Sequence, residues 1–115
     1  MFENINSQTF FLMNIMILSN YTFSISEEAS KNFEAWIKVE ISMSFKEVSN
    51  LLKVKTFKLL TELETDSVNY AIQFYFAEES QEIEFDKNEF SNLLKKVDLL
   101  FSGNYAYFHT VLREF

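Results

Sequence analysis

The sequence has no cysteine and no proline, and it contains one glycine and one histidine. Without cysteine, the chain cannot form disulfides, thiolate metal sites or a cysteine nucleophile. A single glycine cannot build a glycine-rich phosphate-binding loop. A single histidine disfavours a histidine-based zinc or iron centre. We therefore expect neither a metal nor a cofactor.

Basic side chains are scarce, with 10 Lys and Arg against 17 Asp and Glu and a net charge of -7. This balance argues against nucleic acid and anionic membranes as partners, because both are bound by clustered Lys and Arg. The apolar run from Phe10 to Leu18 is too short to span a bilayer. No basic residue precedes Lys31, so a signal peptide is not indicated. We expect a soluble cytoplasmic protein.

Apolar and aromatic side chains are abundant, at 48% and 17% of the chain, and they include 14 Phe. A chain of 115 residues can form one core but not two. We predict a loosely ordered N-terminal extension over residues 1–13 and a single domain over residues 14–115. So much apolar surface is more than a small monomer hides, and this indicates an oligomer.

Four segments alternate with the period of two that a β-strand imposes. The clearest is Val68–Phe76, in which Tyr70, Ile72, Phe74 and Phe76 form a wholly apolar face. The opposite face is polar or small without charge, which is typical of a central strand. The other predicted strands are Ile15–Ile25, Val54–Leu63 with a charged outer edge, and Tyr105–Leu112. Glu64–Ser67 is the predicted hairpin turn.

Two segments carry apolar stripes at helical spacing. The first stripe consists of Ala29, Phe33, Trp36, Ile37 and Ile41, follows a cap at Ser24 or Ser26, and continues after a bend as Phe45, Val48 and Leu52. The second stripe consists of Phe90, Leu93, Leu94, Val97 and Phe101, with a helix start at Ser80 or Asp86 and an end near Gly103. Both stripes should pack on the sheet.

The predicted order is therefore βαββαβ, which favours the ferredoxin-like α+β plait with both helices on one face of a four-stranded antiparallel sheet. The uncovered face would carry Leu18, Ala71, Tyr75, Tyr107 and Val111. Such a face is too apolar to remain in water, so we predict a homodimer that pairs in the manner of a dimeric α/β barrel.

The same face is predicted to hold Asn20, Gln73 and His109, bordered by Thr22, Tyr75 and Tyr107. Two interpretations remain open. The polar groups can be hydrogen-bonded parts of an interface, since buried polar groups need partners in any case. Alternatively they bind a small molecule, with His109 as the catalytic candidate. The ligand-binding candidates are Asn20, Gln73, Tyr75, Tyr107 and His109.

An acidic cluster precedes the second helix and consists of Glu78, Glu79, Glu82, Glu84 and Asp86. It lacks the Asp, Asn and Gly spacing of a calcium loop. Charge runs of this kind are typical of solvated surfaces, and we predict one here.

Four segments resemble the landmarks of a short bacterial family that is a domain of unknown function: Asn20–Phe23, Phe33–Lys38, Tyr70–Phe74 and Phe108–Leu112. The resemblance runs from about Met16 to the C-terminus. It implies a ferredoxin-like domain, akin to dimeric α/β-barrel proteins, with no established activity. Members of that family tend to carry His-Ile-Pro where this chain has Ile41-Ser42-Met43, and often Arg in place of His109. Any family chemistry that uses those residues is in doubt here.

We favour a non-catalytic homodimer that binds a small molecule at the sheet face. The alternative is a cofactor-independent oxygenase or isomerase of the dimeric-barrel type acting on a small aromatic substrate. In that alternative His109 is the acid or base, and Asn20 and Gln73 position an enolate oxygen. A third hypothesis is an interaction module whose acidic surface engages a basic protein.

Overall fold

The computed structural model describes residues 16–61 and 66–115. Its elements are β1 (Ile17–Ser26), α1 (Glu27–Ser44), β2 (Lys53–Lys58), β3 (Ser67–Phe76), α2 (Glu79–Phe85), a π-helical turn (Asp86–Phe90), α3 (Ser91–Phe101) and β4 (Tyr105–Arg113). The π-helical turn joins α2 to α3, so that residues 79–101 are helical throughout.

The four strands form one antiparallel sheet in the order β2-β3-β1-β4. Strand β1 pairs with β3 over its whole length and with β4 on its other side. The ferredoxin-like plait predicted from the sequence is confirmed, with β1 and β3 in the centre and the helices on one face. Within the described ranges no helix is long and apolar enough to cross a membrane.

The core lies between the helices and one face of the sheet. The sheet contributes Ile17, Tyr21, Phe23, Ile25, Tyr70, Ile72, Phe74 and Phe76, and the helices contribute Phe33, Ile37, Phe85, Phe90, Leu93, Val97 and Phe101. Both predicted helical stripes are buried here, with Ala29, Trp36, Ile41 and Leu94 packed at the margin. Burial of these stripes stabilises the helices more than intrinsic propensity can.

Several predicted boundaries differ from the structure. Helix α1 continues without a bend to Ser44, and a turn replaces the second helical stretch that we expected after it. Strand β2 ends at Lys58, well before Leu63. The predicted hairpin turn lies partly outside the described residues. The predicted N-terminal extension lies entirely outside them.

The start of the second helical segment also differs from expectation, whereas its predicted end near Gly103 is confirmed. Neither Ser80 nor Asp86 caps it, because Glu78 and Gln81 form a reciprocal capping box and α2 begins at Glu79. At the other end, α3 stops at Phe101, and Gly103 follows with a φ of +82°. This left-handed conformation suits glycine, and it turns the chain into β4.

Candidate functional site

The open face of the sheet, which the helices leave uncovered, carries side chains in cross-strand rows. The strand register aligns Lys53, Tyr75, Leu18 and Leu112 in the first row, Lys55, Gln73, Asn20 and Thr110 in the second, and Phe57, Ala71, Thr22 and Phe108 in the third. A polar row therefore lies between two rows that are mainly apolar.

A chain of hydrogen bonds crosses the centre of the open face. The Tyr75 hydroxyl donates to Oε1 of Gln73 at 2.9 Å, and Nε2 of Gln73 donates to Oδ1 of Asn20 at 3.2 Å. Nδ2 of Asn20 then donates to Oγ1 of Thr22 at 3.0 Å. Each side-chain amide has two N–H groups and donates only one to the described part of the chain. The second N–H of each amide is therefore available to a ligand or a partner.

The apolar side chains of the open face are substantially exposed. Phe57 is 50% exposed, Phe108 61% and Leu112 48%, although each lies in a strand. Together with Leu18 and Tyr75 they place apolar surface on both sides of the polar row. Apolar patches of this kind mark interaction surfaces.

The prediction that His109 and Tyr107 share this face is wrong. Strand β4 pairs His109 with Tyr21 and Tyr107 with Phe23, and both partners point into the core. Because side chains alternate, a choice that is off by one residue exchanges the two faces of a strand. Val111 is misplaced for the same reason. Asn20, Gln73 and Tyr75 lie together as predicted, and their part in ligand binding stays a prediction.

On the helix side, His109 belongs to a polar cluster with Ser19, Tyr21, Glu82 and Asp86. Its Nε2 lies 2.7 Å from Oγ of Ser19 and 3.1 Å from Oε2 of Glu82. The Ser19 hydroxyl donates to the same Glu82 oxygen at 2.8 Å. A proton on Nε2 of His109 satisfies these contacts, since His109 then donates toward the Ser19 oxygen and Glu82, while Ser19 donates its own hydrogen to Glu82.

Tyr21 and Asp86 contact the other side of the imidazole. The Tyr21 ring stacks on it with a centroid distance of 4.2 Å, and the Tyr21 hydroxyl donates to Oδ1 of Asp86 at 2.7 Å. The same Asp86 oxygen is 3.6 Å from Nδ1 of His109. Burial, and then the neighbouring Asp86 carboxylate, raise the pKa of the Tyr21 hydroxyl well above its ordinary value. Tyr21 is therefore a neutral hydrogen-bond donor at physiological pH.

The contacts of Ser19, His109 and Asp86 resemble those of a hydrolytic triad, but the surroundings do not allow that chemistry. Ser19 is wholly buried and its hydroxyl donates to Glu82, so no substrate carbonyl can reach the oxygen. Glu82 is itself only 3% exposed. Over the described ranges, no group of three acidic or histidine side chains is arranged to hold a metal ion. The cluster therefore joins α2 and the π-helical turn to the sheet.

Two residues of this cluster, Ser19 and Glu82, were not among the predicted site residues. Ser19 occupies the apolar face of β1 between Ile17 and Tyr21, and this polar residue at a core position was the available signal. Glu82 was assigned to a solvated acidic surface, which is wrong for this residue. Its position three residues before the buried Phe85 places it on the inner side of the helix.

The order of the strands and the single helical layer define a ferredoxin-like α+β protein. Residues 16–115 match the model of the family described as "Domain of unknown function (DUF4286)", and the chain belongs to that family. The resemblance noted in the sequence is thereby confirmed. No curated protein matches the chain.

Solved structures share the fold at low sequence identity. A dimeric ferredoxin-like protein from an uncultured marine organism is 12% identical, with a TM-score of 0.65 over 86% of this chain and 94% of its own. A dimeric protein of unknown function and ferredoxin-like fold from Bacteroides fragilis is 14% identical, with a TM-score of 0.61 over 87% and 96%. An ethyl tert-butyl ether d (ethd) family protein from Bacillus halodurans is 9% identical, with a TM-score of 0.62 over 86% and 99%. These similarities concern the fold.

Proposed function

We propose that this protein is a non-catalytic homodimer whose open sheet faces meet and hold a small molecule between them. The observation that carries the proposal is the exposure of Phe57, Phe108 and Leu112 on the face that the helices leave bare. Two structural neighbours are described as dimeric, which supports the same assembly. The cytoplasmic location stays a prediction.

Pairing would remove these side chains from water twice, once in each protomer. Full burial of a Phe or Leu side chain contributes about 1.5–3 kcal/mol, and these three are about half exposed. Each would therefore gain about 1 kcal/mol when covered. The six side chains of a symmetric dimer would supply a substantial part of the association free energy. The loss of rotational and translational freedom on association opposes this gain.

The test is a matched pair of charge substitutions, Phe108→Asp on the open face and Leu99→Asp on α3. Both remove an exposed apolar side chain, since Leu99 is 83% exposed. We expect Phe108→Asp to raise the dimer dissociation constant at least 30-fold, because the charge would be buried at the interface. Leu99→Asp should leave the constant within about threefold of wild type. Sedimentation velocity over a range of protomer concentrations measures both.

A wild-type protein that stays monomeric at millimolar concentration would overturn the proposal. Equal weakening by the two substitutions would also overturn it, because the contact would not then depend on the open face. Far-ultraviolet circular dichroism of both variants verifies that the fold is kept.

The enzymatic alternative meets a geometric obstacle. It requires His109, Asn20 and Gln73 to act on one substrate, but the sheet lies between the imidazole and the two amides. A proton transfer by His109 would have to take place on the helix side, where the buried Glu82 and the partly exposed Asp86 are the neighbouring carboxylates. The non-catalytic proposal needs no such rearrangement, and we prefer it.

A further inference from the structure

One corner of the open face contains a cavity of about 360 Å³. Its apolar walls are Leu18, Tyr75 and Leu112, which belong to one cross-strand row. Lys53 completes that row, and its Nζ lies 4.8 Å from the centroid of the Tyr75 ring. The volume is in the range of small-molecule sites.

The positive charge beside this cavity is not neutralised by the described part of the chain. Lys58 and Lys96 pair with Glu34 and Glu40, whereas Lys53 and Lys55 make no ion pair there. Lys53 and Lys55 are two residues apart on one face of β2, which places them about 7 Å from each other. Both lysines therefore add positive charge to the open face of a chain whose net charge is -7.

The hydrogen-bonding groups beside the lysines add donors to the same region. Gln73 lies opposite Lys55 in the register and has one N–H that the described part of the chain does not use. Asn20 beside it has another. Ammonium and amide donors together suit an oxyanion, because charge-assisted hydrogen bonds are the strong ones.

We propose that this corner binds a small organic carboxylate with an apolar body. The carboxylate lies between Lys53, Lys55 and the free N–H of Gln73, and the apolar body lies against Leu18 and Leu112. The inference rests on the proposed function and deepens it, since a partner protomer would close the cavity from the other side.

One acidic side chain also borders the cavity. The Glu114 carboxylate accepts the backbone N–H of Met16 at 3.2 Å. That bond holds the carboxylate at the junction of β1 and β4, across the sheet from β2. Arg113, which borders the cavity as well, donates to Glu79 on the helix side at 2.9 Å. The two lysines of β2 therefore remain the charges available to a ligand carboxylate.

The test compares 4-phenylbutyrate with 4-phenylbutanol, which has a similar apolar body and no charge. Isothermal titration calorimetry measures both with the full chain and with Lys53→Gln and Lys95→Gln. Lys95 is exposed on α3, away from the open face, and serves as the matched control. We expect phenylbutyrate to bind about tenfold more tightly than phenylbutanol, in keeping with one charge-assisted contact. Lys53→Gln should remove that preference, and Lys95→Gln should keep it within twofold.

Equal affinity for the two probes in the wild type would overturn the carboxylate site. Loss of the preference in both lysine variants would also overturn it, because the effect would then come from net charge. Sedimentation of the same samples separates this inference from the dimer. A monomer with a Lys53-dependent preference refutes the homodimer and leaves the site standing, whereas a dimer without the preference refutes the site alone.

Discussion

The substitution His109→Ala tests whether the buried cluster stabilises the fold of each protomer. It removes the group that approaches Glu82 to 3.1 Å and leaves Ser19 as the remaining side-chain donor to that carboxylate. It also removes the ring that stacks on Tyr21. A buried carboxylate that loses a partner cannot recover the interaction from water.

The structure sets the size of the effect. Removing the partner of a buried hydrogen-bonded group costs about 1–3 kcal/mol, and more when the remaining group is charged. The Glu82 side chain is 4% exposed but that of His109 is 24% exposed, and the Ser19 bond remains, so part of the loss is offset. We expect His109→Ala to lower the free energy of unfolding by about 2–3 kcal/mol. For a domain of this size that corresponds to about 8–12 °C in melting temperature.

The assay is urea unfolding followed by the fluorescence of Trp36 at one fixed protomer concentration, because dimerisation makes apparent stability depend on concentration. Arg113→Ala is the control. It breaks another contact between β4 and α2, the ion pair with Glu79 at 2.9 Å, in which both side chains are more than half exposed. Exposed pairs contribute about 0–1 kcal/mol, so this variant should remain near wild type.

A double-mutant cycle with Glu82→Leu measures the coupling free energy between His109 and Glu82. If His109 and Glu82 stabilise the fold through each other, the double variant should lose at least about 1 kcal/mol less than the sum of the two single losses. Additive losses, or a loss in His109→Ala no larger than in Arg113→Ala, would show that the cluster is not an energetic unit.

Two further predictions concern alkaline pH and the turn after α3. Because the folded state holds the Tyr21 proton more tightly than the unfolded state, its stabilising contribution should be complete below pH 10, the ordinary pKa of tyrosine, and be lost above it. The fall in melting temperature above pH 10 should therefore be smaller in Tyr21→Phe than in wild type, and equal falls would contradict this. Gly103→Ala should lower the free energy of unfolding by about 1 kcal/mol, because φ is +82° there although nothing crowds the added methyl group. Ser102→Ala, at a φ of -54°, is the control in the same urea assay, and equal losses would contradict the conformational explanation.

The central strands were predictable because their two faces differ in chemistry. In β3 one face is wholly apolar and the other has no charge, and the structure buries the apolar face completely. The helical stripes through Phe33 and Val97 were predictable for the same reason. Where local composition and burial agree, the pattern in the sequence identifies the core side.

The two faces of strand β4 do not differ in chemistry in this way. One face carries Tyr105, Tyr107, His109 and Val111, and the other carries Ala106, Phe108, Thr110 and Leu112. Both faces are mainly apolar, so alternation shows that two faces exist without showing which one meets the helices. The pairing of His109 with Tyr21 determines which face meets the helices, and that pairing joins residues far apart in the chain.

Local alternation, helical spacing and the order of elements were sufficient to determine the βαββαβ plait, its central strands and an uncovered sheet face. They were sufficient because each reflects the backbone geometry of neighbouring residues. The three-dimensional structure was needed to show that Glu82 and Ser19 meet His109 in the core, and that Lys53 lies beside Tyr75 and Leu18 at a cavity. Those contacts follow from strand register and helix packing, which depend on interactions between residues distant in sequence.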